Sequence, residues 1–131
     1  MKSAEKNIQN SILGYINYHG GWAIRTNSGK MRKAYQRKDG GMTQHWVQLA
    51  PEGTPDIIAI YKGKGIGIEV KKNEKEVREW IKMSGDNYTG SSKKSIHAKI
   101  QKASMDNITR AGGHALIVSS LDEVIEFLNL L

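Results

Sequence analysis

Apolar positions along the chain switch between two periods, and the switches mark its elements. Ile8, Ile12, Leu13 and Ile16 recur at helical spacing, with Ser3 placed as an N-cap and Gly20-Gly21 as a stop, so residues 3–18 are predicted to form an amphipathic helix. Trp22 to Thr26 is a candidate strand, and His45 to Leu49 a short one. Alternation is clearest from Ile57 to Tyr61 and from Ile66 to Val70, two runs joined by a short Gly-containing turn, which is a hairpin signal. Asn73 and Glu76 have capping-box spacing ahead of Val77, Trp80 and Ile81, predicting a short helix near 74–83. Ser84 to Lys94 has loop composition. A longer helix is expected from about Ser95 to Ala111, with Ile100, Ala103, Ile108 and Ala111 as apolar positions and Gly112-Gly113 as its end. His114 to Ser119 reads as a strand centred on Leu116-Ile117-Val118, and Ser120 with Glu123 caps a last helix carrying Val124, Ile125, Phe127, Leu128 and Leu131. The order, roughly α-β-(β)-β-β-(α)-α-β-α without internal repeat, predicts a single α/β domain over residues 1–131.

The central hairpin breaks its own pattern with three charges. Pairing the strands around a two-residue turn at Gly63-Lys64 sets Lys62 against Gly65, Asp56 against Lys71 and Ile58 against Glu69. Period-two alternation then gives one face to Ile57, Ala59, Tyr61, Ile66, Ile68 and Val70, a core face. The other collects Asp56, Glu69 and Lys71 beside Ile58, Ile60 and Gly67. A one-residue slip would scatter the triad, so the register carries information.

Charge adds a partner. The chain has a net charge of +7, and residues 111–131 hold no Lys or Arg, so the excess is concentrated before them. A polyanion, nucleic acid first, is the expected partner. Asn27 to Thr43 is polar and basic, with Lys30, Arg32, Lys33, Arg37 and Lys38 against Asp39 alone and with Tyr35 interleaved. This segment, about 27–44, is expected to be a basic loop that rides on a phosphate backbone and stacks Tyr35 on a base; the alternative is a solvated flexible loop. With no cysteine, disulfides, thiol catalysis and zinc–thiolate sites are excluded. No apolar run approaches membrane-spanning length and the first residues lack an apolar signal core, so a soluble, cytoplasmic protein is expected. The four histidines are dispersed, and neither a nucleophile elbow nor a P-loop spacing occurs.

Two carboxylates on one small face repel each other when ionised, and a cation relieves that cost. Oxygen-only ligation suits Mg²⁺ or Mn²⁺, as one ion or two. Glu5 lies on the inward stripe of the first helix and is a candidate third acid, the alternative being a first-turn Glu that complements the helix dipole. Lys71 adds a compact positive charge on the same face, suited to a pentacoordinate phosphate. Gln101 shares a face with Met105 and Ile108, where an ordinary helix Gln is the plainer reading. Together these residues suggest metal-assisted hydrolysis of a phosphodiester. An Asp56–Lys71 cross-strand ion pair is the simpler account, but it leaves Glu69 and the Gly53-Thr54-Pro55 approach unexplained.

Pro55-Asp56, then twelve residues, then Glu69-Val70-Lys71 resembles the PD-(D/E)XK nuclease superfamily. Gly53-Thr54-Pro55-Asp56, the Glu69-Val70-Lys71 run, a helix bearing Gln101, the Gly112-Gly113 exit into a strand and the segment Arg25-Thr26-Asn27-Ser28-Gly29 together resemble its VRR-NUC branch over nearly the whole chain. The resemblance implies a restriction-endonuclease-like fold, a central mixed β-sheet flanked by helices in the order α-β-β-β-α-β-α. It implies a divalent-metal-dependent DNA endonuclease with Asp56 and Glu69 as metal ligands, Val70 as a further metal contact and Lys71 as the catalytic lysine. Glu5 would support the metal from the first helix, and Gln101 would orient the site. Arg25, Lys30, Arg32, Lys33, Tyr35, Arg37, Lys38 and Lys72 are the expected DNA contacts. Small stand-alone members resemble virus-encoded homodimers that cut four-way (Holliday) junctions, which would place this protein in a host cytoplasm with branched DNA and without a small-molecule cofactor. Two departures stand out. The segment from Lys72 to Lys94 is an insertion and a candidate dimerisation or substrate element. Met105 stands where helicase-linked relatives carry a tyrosine, so their Gln–Tyr pairing does not carry over. The alternatives are a nuclease for flaps, nicks or other repair intermediates, and a non-catalytic nucleic-acid-binding module.

Overall fold

The computed structural model describes residues 3–27, 30–48 and 50–131, with backbone alone for residues 3, 30–35 and 44–48. Along the chain come α1 (Ser3–Tyr18), β1 (Trp22–Arg25), β2 (Lys30–Gln36), β3 (Met42–Gln48), β4 (Ile57–Tyr61), β5 (Lys64–Val70), α2 (Glu74–Ser84), α3 (Lys93–Arg110), β6 (His114–Val118) and α4 (Leu121–Leu128). Strands β1, β4, β5 and β6 form one sheet in that order, antiparallel except for the parallel β5–β6 pair. That parallel pair needs a crossover, and α2 and α3 supply it.

The alternation read in β4 and β5 divides the sheet into two faces. Ala23, Ile57, Ala59, Ile66, Ile68, Val70 and Val118 pack with Ile12 and Ile16 of α1 and with Val124 and Leu128 of α4. Each of the fully buried isoleucines stabilises the fold by roughly 2–3 kcal/mol. On the opposite face α2 and α3 bring Trp80, Ala98 and Met105 against Ala115 and Ile117 of β6. The caps expected for α2 and α4 form: the Asn73 side chain accepts from the Glu76 N–H at 2.9 Å, and the Ser120 hydroxyl from the Glu123 N–H at 3.3 Å.

Three expectations change. The hairpin turns at Lys62-Gly63, one residue earlier than expected, because both of these adopt positive φ (51° and 76°), as the favoured two-residue turn requires. Ile57 therefore pairs with Ile68 and Ile58 with Gly67. The slip is two in pairing and leaves both faces intact, but the register carried one step further sets Asp56 across from Glu69 rather than Lys71.

From Lys30 on, the basic segment expected to be a loop over 27–44 is two strands and the turn between them, while Ser28 and Gly29 lie outside the described residues. Strands β2 and β3 pair from Lys30↔Gln48 to Gln36↔Met42 as a separate two-stranded ribbon. The strand expected at His45–Leu49 is the second half of β3 as far as Gln48, whereas β2 carries polar and basic residues and no apolar alternation marks it. Leu49 lies outside the described residues.

In α3 the inward stripe is Ser95, Ala98, Gln101 and Met105, while Ala103 and Ala111 are exposed. Hydrophobicity located the helix but misassigned part of its face, since two of the four buried positions are polar.

Gly53 joins the approach to β4 to α3. Its φ is +87°, and a Cβ there would stand 2.7 Å from Ile100 Cγ2 and 2.9 Å from the Ile100 carbonyl oxygen. Gly53→Ala is expected to cost about 2–3 kcal/mol through backbone strain and a backbone clash. Thermal unfolding checks it: Tm should fall by roughly 10 °C, and an unchanged Tm would rule the arrangement out.

Candidate active site

The site forms where the start of β4 meets the end of β5 beneath α3. Thr26 follows β1 and holds the approach by its N–H, which donates to the Asp56 carbonyl at 2.9 Å, and by its hydroxyl, which donates to the Pro55 carbonyl at 2.6 Å. The Asp56 side chain then turns towards β5, where its Oδ2 accepts the Val70 N–H at 2.8 Å. Both ends of the aspartate are thus pinned by neighbouring strands.

Glu69 projects from β5 onto the same side and is only 4% exposed. Its Oε2 accepts from Gln101 Nε2 at 2.9 Å and lies 3.8 Å from Lys71 Nζ. Gln101 is itself buried, and its Oε1 accepts from Trp80 Nε1 at 2.8 Å. Glu69 Oε1 is buried and has no hydrogen-bond partner. Burial, and then the charge of the neighbouring Asp56 carboxylate, push the Glu69 pKa up to about 9; Lys71 opposes them, a side-chain hydrogen bond with Asp56 adds to the rise, and Glu5 adds the smallest push upward. A carboxylate so placed is stable as an anion only beside more positive charge than Lys71 provides.

Asp56, Glu69, Lys71 and Gln101 are therefore brought together, and Asp56 and Val70 meet through the Val70 backbone. Glu5 reaches the site through its field on Glu69. Among the described residues no group of three or more acidic or histidine side chains is drawn close enough to hold an ion as placed, so Asp56 and Glu69 form a pair rather than a triad with Glu5. A cleft between α2 and α3, lined by Lys71, Glu76, Trp80, His97 and Gln101 among others, lies alongside.

The expected DNA contacts divide into groups. Arg25 donates from Nε to Gln9 Oε1 at 2.8 Å and from its guanidinium to Asn10 Oδ1, so it braces β1 against α1. Arg37 and Lys38 are exposed in the turn of the ribbon, where Arg37 Nε lies 3.3 Å from Asp39 Oδ1. Lys72 pairs with Glu76 at 3.5 Å. The side chains of Lys30, Arg32, Lys33 and Tyr35 lie outside the described residues. Two residues of the site escape a sequence reading. Thr26 looks like the end of a strand, and Trp80 like one more apolar position of α2. Only the indole N–H on an inward face hinted that Trp80 needs a polar partner.

No protein-family model and no curated protein sequence matches the chain. A solved structure described as a VRR_NUC domain aligns with it at a TM-score of 0.52 and 17% sequence identity, covering 96% of this chain and 95% of that one. The likeness establishes the fold: a mixed sheet flanked by helices, the restriction-endonuclease-like arrangement.

Proposed function

We propose, for a chain with the fold of a VRR_NUC domain, that this protein is a nuclease, specifically a divalent-metal-dependent endodeoxyribonuclease. One observation carries the reading: the buried Glu69 carboxylate has an oxygen without a partner, beside a second carboxylate, with a lysine 3.8 Å away. A structural ion pair needs neither the second acid nor the orphaned oxygen.

The donors fit a hard cation, because they are oxygens without sulfur and their mutual repulsion falls when a cation sits between them. Asp56 and Glu69, with the Val70 carbonyl, would hold Mg²⁺ or Mn²⁺, and the chemistry supplied there is Lewis acidity towards a phosphodiester oxygen and an activated water. Glu5 would act from the next layer out. Lys71 sets a positive charge where the phosphate gains negative charge in the transition state. Gln101 holds Glu69 Oε2 and leaves Oε1 uncommitted. The Val70 N–H fixes Asp56 Oδ2 and thereby the direction of its other oxygen.

Branched DNA is the proposed substrate. A two-stranded ribbon is narrow enough for a major groove, and β2–β3 with Lys30, Arg32, Lys33, Tyr35, Arg37 and Lys38 is the proposed DNA-gripping arm. Arg25 acts through its brace on α1, and Lys72 from beside the site. Symmetric cutting of a four-way junction needs two sites, so a homodimer is part of the proposal. No helix among the described residues is long and apolar enough to cross a membrane, and a cytoplasmic, DNA-associated protein is proposed, in a host cell if virus-encoded.

A matched set of four-way, flap and linear duplexes, each with Mg²⁺ or Mn²⁺, tests this. Paired symmetric nicks in the four-way junction are expected. Preference for a 5′ flap would reassign the enzyme to repair intermediates. Binding that weakens steeply with salt and is never followed by cleavage would make it a non-catalytic binding module.

A further inference from the structure

Trp80, Gln101 and Glu69 form a buried relay of side chains from α2 through α3 to β5. The indole Nε1–H donates to Gln101 Oε1 at 2.8 Å, and Gln101 Nε2 donates to Glu69 Oε2 at 2.9 Å. The three residues are 4%, 5% and 4% exposed, so water is poorly placed to replace a lost partner.

A primary amide has a donor end and an acceptor end, and half a turn about its last bond exchanges them. Nothing in a glutamine side chain alone selects one orientation. An indole N–H can only donate, so the carbonyl end alone can satisfy it. Once Oε1 is committed to Trp80, the NH₂ end must face Glu69. We infer that Trp80 is a positioning residue for this site: its N–H orients the Gln101 amide, which then holds Glu69 Oε2 and leaves Oε1 uncommitted. Against the ionised Glu69 that would hold a cation, the reversed amide would set a carbonyl oxygen against a carboxylate oxygen, acceptor against acceptor.

The functional half of this inference rests on the nuclease reading; the relay itself does not. It also gives the segment Lys72 to Lys94 a task, since α2 lies within it and carries Trp80. The competing role for Trp80 is packing alone, because its ring also fills the small cluster with Ala98 and Met105. The tests must therefore separate the N–H from the ring.

Trp80→Phe keeps a ring and removes the donor, and the isostere benzothienylalanine at position 80 keeps even the bicyclic shape. The first measurement needs no activity: hydrogen exchange of the Trp80 indole proton, followed by NMR and assigned by its loss in Trp80→Phe. Exchange should be slow in the wild type and at least about ten-fold faster in folded Gln101→Leu; an unchanged rate would overturn the relay. The second is cleavage kinetics. Each single variant should lower kcat by about 10- to 100-fold with KM for DNA unchanged, the range seen when a partner behind a ligand is lost. The double variant should be no worse than the poorer single variant. Additive losses, a loss confined to KM, or full activity with benzothienylalanine would each overturn the positioning role. The third is calorimetric Mn²⁺ binding, expected to weaken about ten-fold or more in Trp80→Phe. A wild-type protein that neither cleaves DNA nor binds Mn²⁺ would remove the nuclease reading and the positioning role with it, while the indole exchange would still report on the relay.

Discussion

Asp56→Ala is expected to abolish Mg²⁺- or Mn²⁺-dependent DNA cleavage, lowering kcat by about 10³-fold or more, while affinity for uncleaved DNA changes by no more than a few-fold. Asp56 contributes one of two closely placed carboxylates and is pinned from both ends, by Thr26 and by the Val70 N–H. Alanine removes the oxygens and leaves the strand pairing of β4 in place. Lys71→Ala should behave alike, with a loss of about 10²- to 10³-fold, because a compact charge aimed at developing negative charge is gone. DNA affinity should survive in both, since the proposed grip is on the β2–β3 ribbon, a separate sheet. Cleavage at wild-type rate by either folded variant would end the catalytic assignment. Loss of binding together with cleavage would mean that the same residues carry the grip.

In the metal-free protein, stability should fall as pH rises from about 5 to 9. Glu69 has its folded pKa raised from 4.5 to about 9, chiefly by burial and then by Asp56. Between those values the folded state keeps a proton that the unfolded chain has released, so rising pH favours unfolding. The stabilising effect of that proton is full below about pH 4.5 and is lost as pH climbs to about 9. Within the window the slope attributable to Glu69 is on the order of 1 kcal/mol per pH unit. Chemical denaturation across this range reads it directly. Glu69→Gln, which keeps the shape and removes the charge, should flatten the slope and be more stable than the wild type at pH 9. Mn²⁺ should raise wild-type stability most at the alkaline end, where a cation takes the place of the missing proton, and should leave Glu69→Gln much less affected. An alkaline slope that persists in Glu69→Gln would place its source elsewhere.

Much of this fold was legible because its core elements announce themselves through period and caps. Helix α1 runs over the span its apolar spacing and its stop predict, and Asn73 and Ser120 cap the helices they were expected to cap. The two faces of β4–β5 survived an error in pairing, because a shift by two preserves alternation while a shift by one would not. What failed were features that hydrophobicity does not encode. Of the ribbon β2–β3 only the His45–Gln48 part of β3 was marked in the sequence; β2 is polar and basic and belongs to a sheet separate from the main one, so apolar alternation left no trace of it. The turn is decided by which residues accept positive φ, and Lys62 does so without any mark in its identity.

The charged face of the hairpin is therefore a property of the sequence, since period-two alternation places Asp56, Glu69 and Lys71 together in any register of the right parity. Their burial is not. Packing α3 over β5 removes Glu69 from water, sets Gln101 against it and brings Trp80 behind Gln101, across sequence separations of 32 and 21 residues. Local pattern carries no information about partners so distant, because each belongs to a different element whose own periodicity is complete without the other. Tertiary packing alone turned three charges on a strand pair into a buried carboxylate with one oxygen held and one left open.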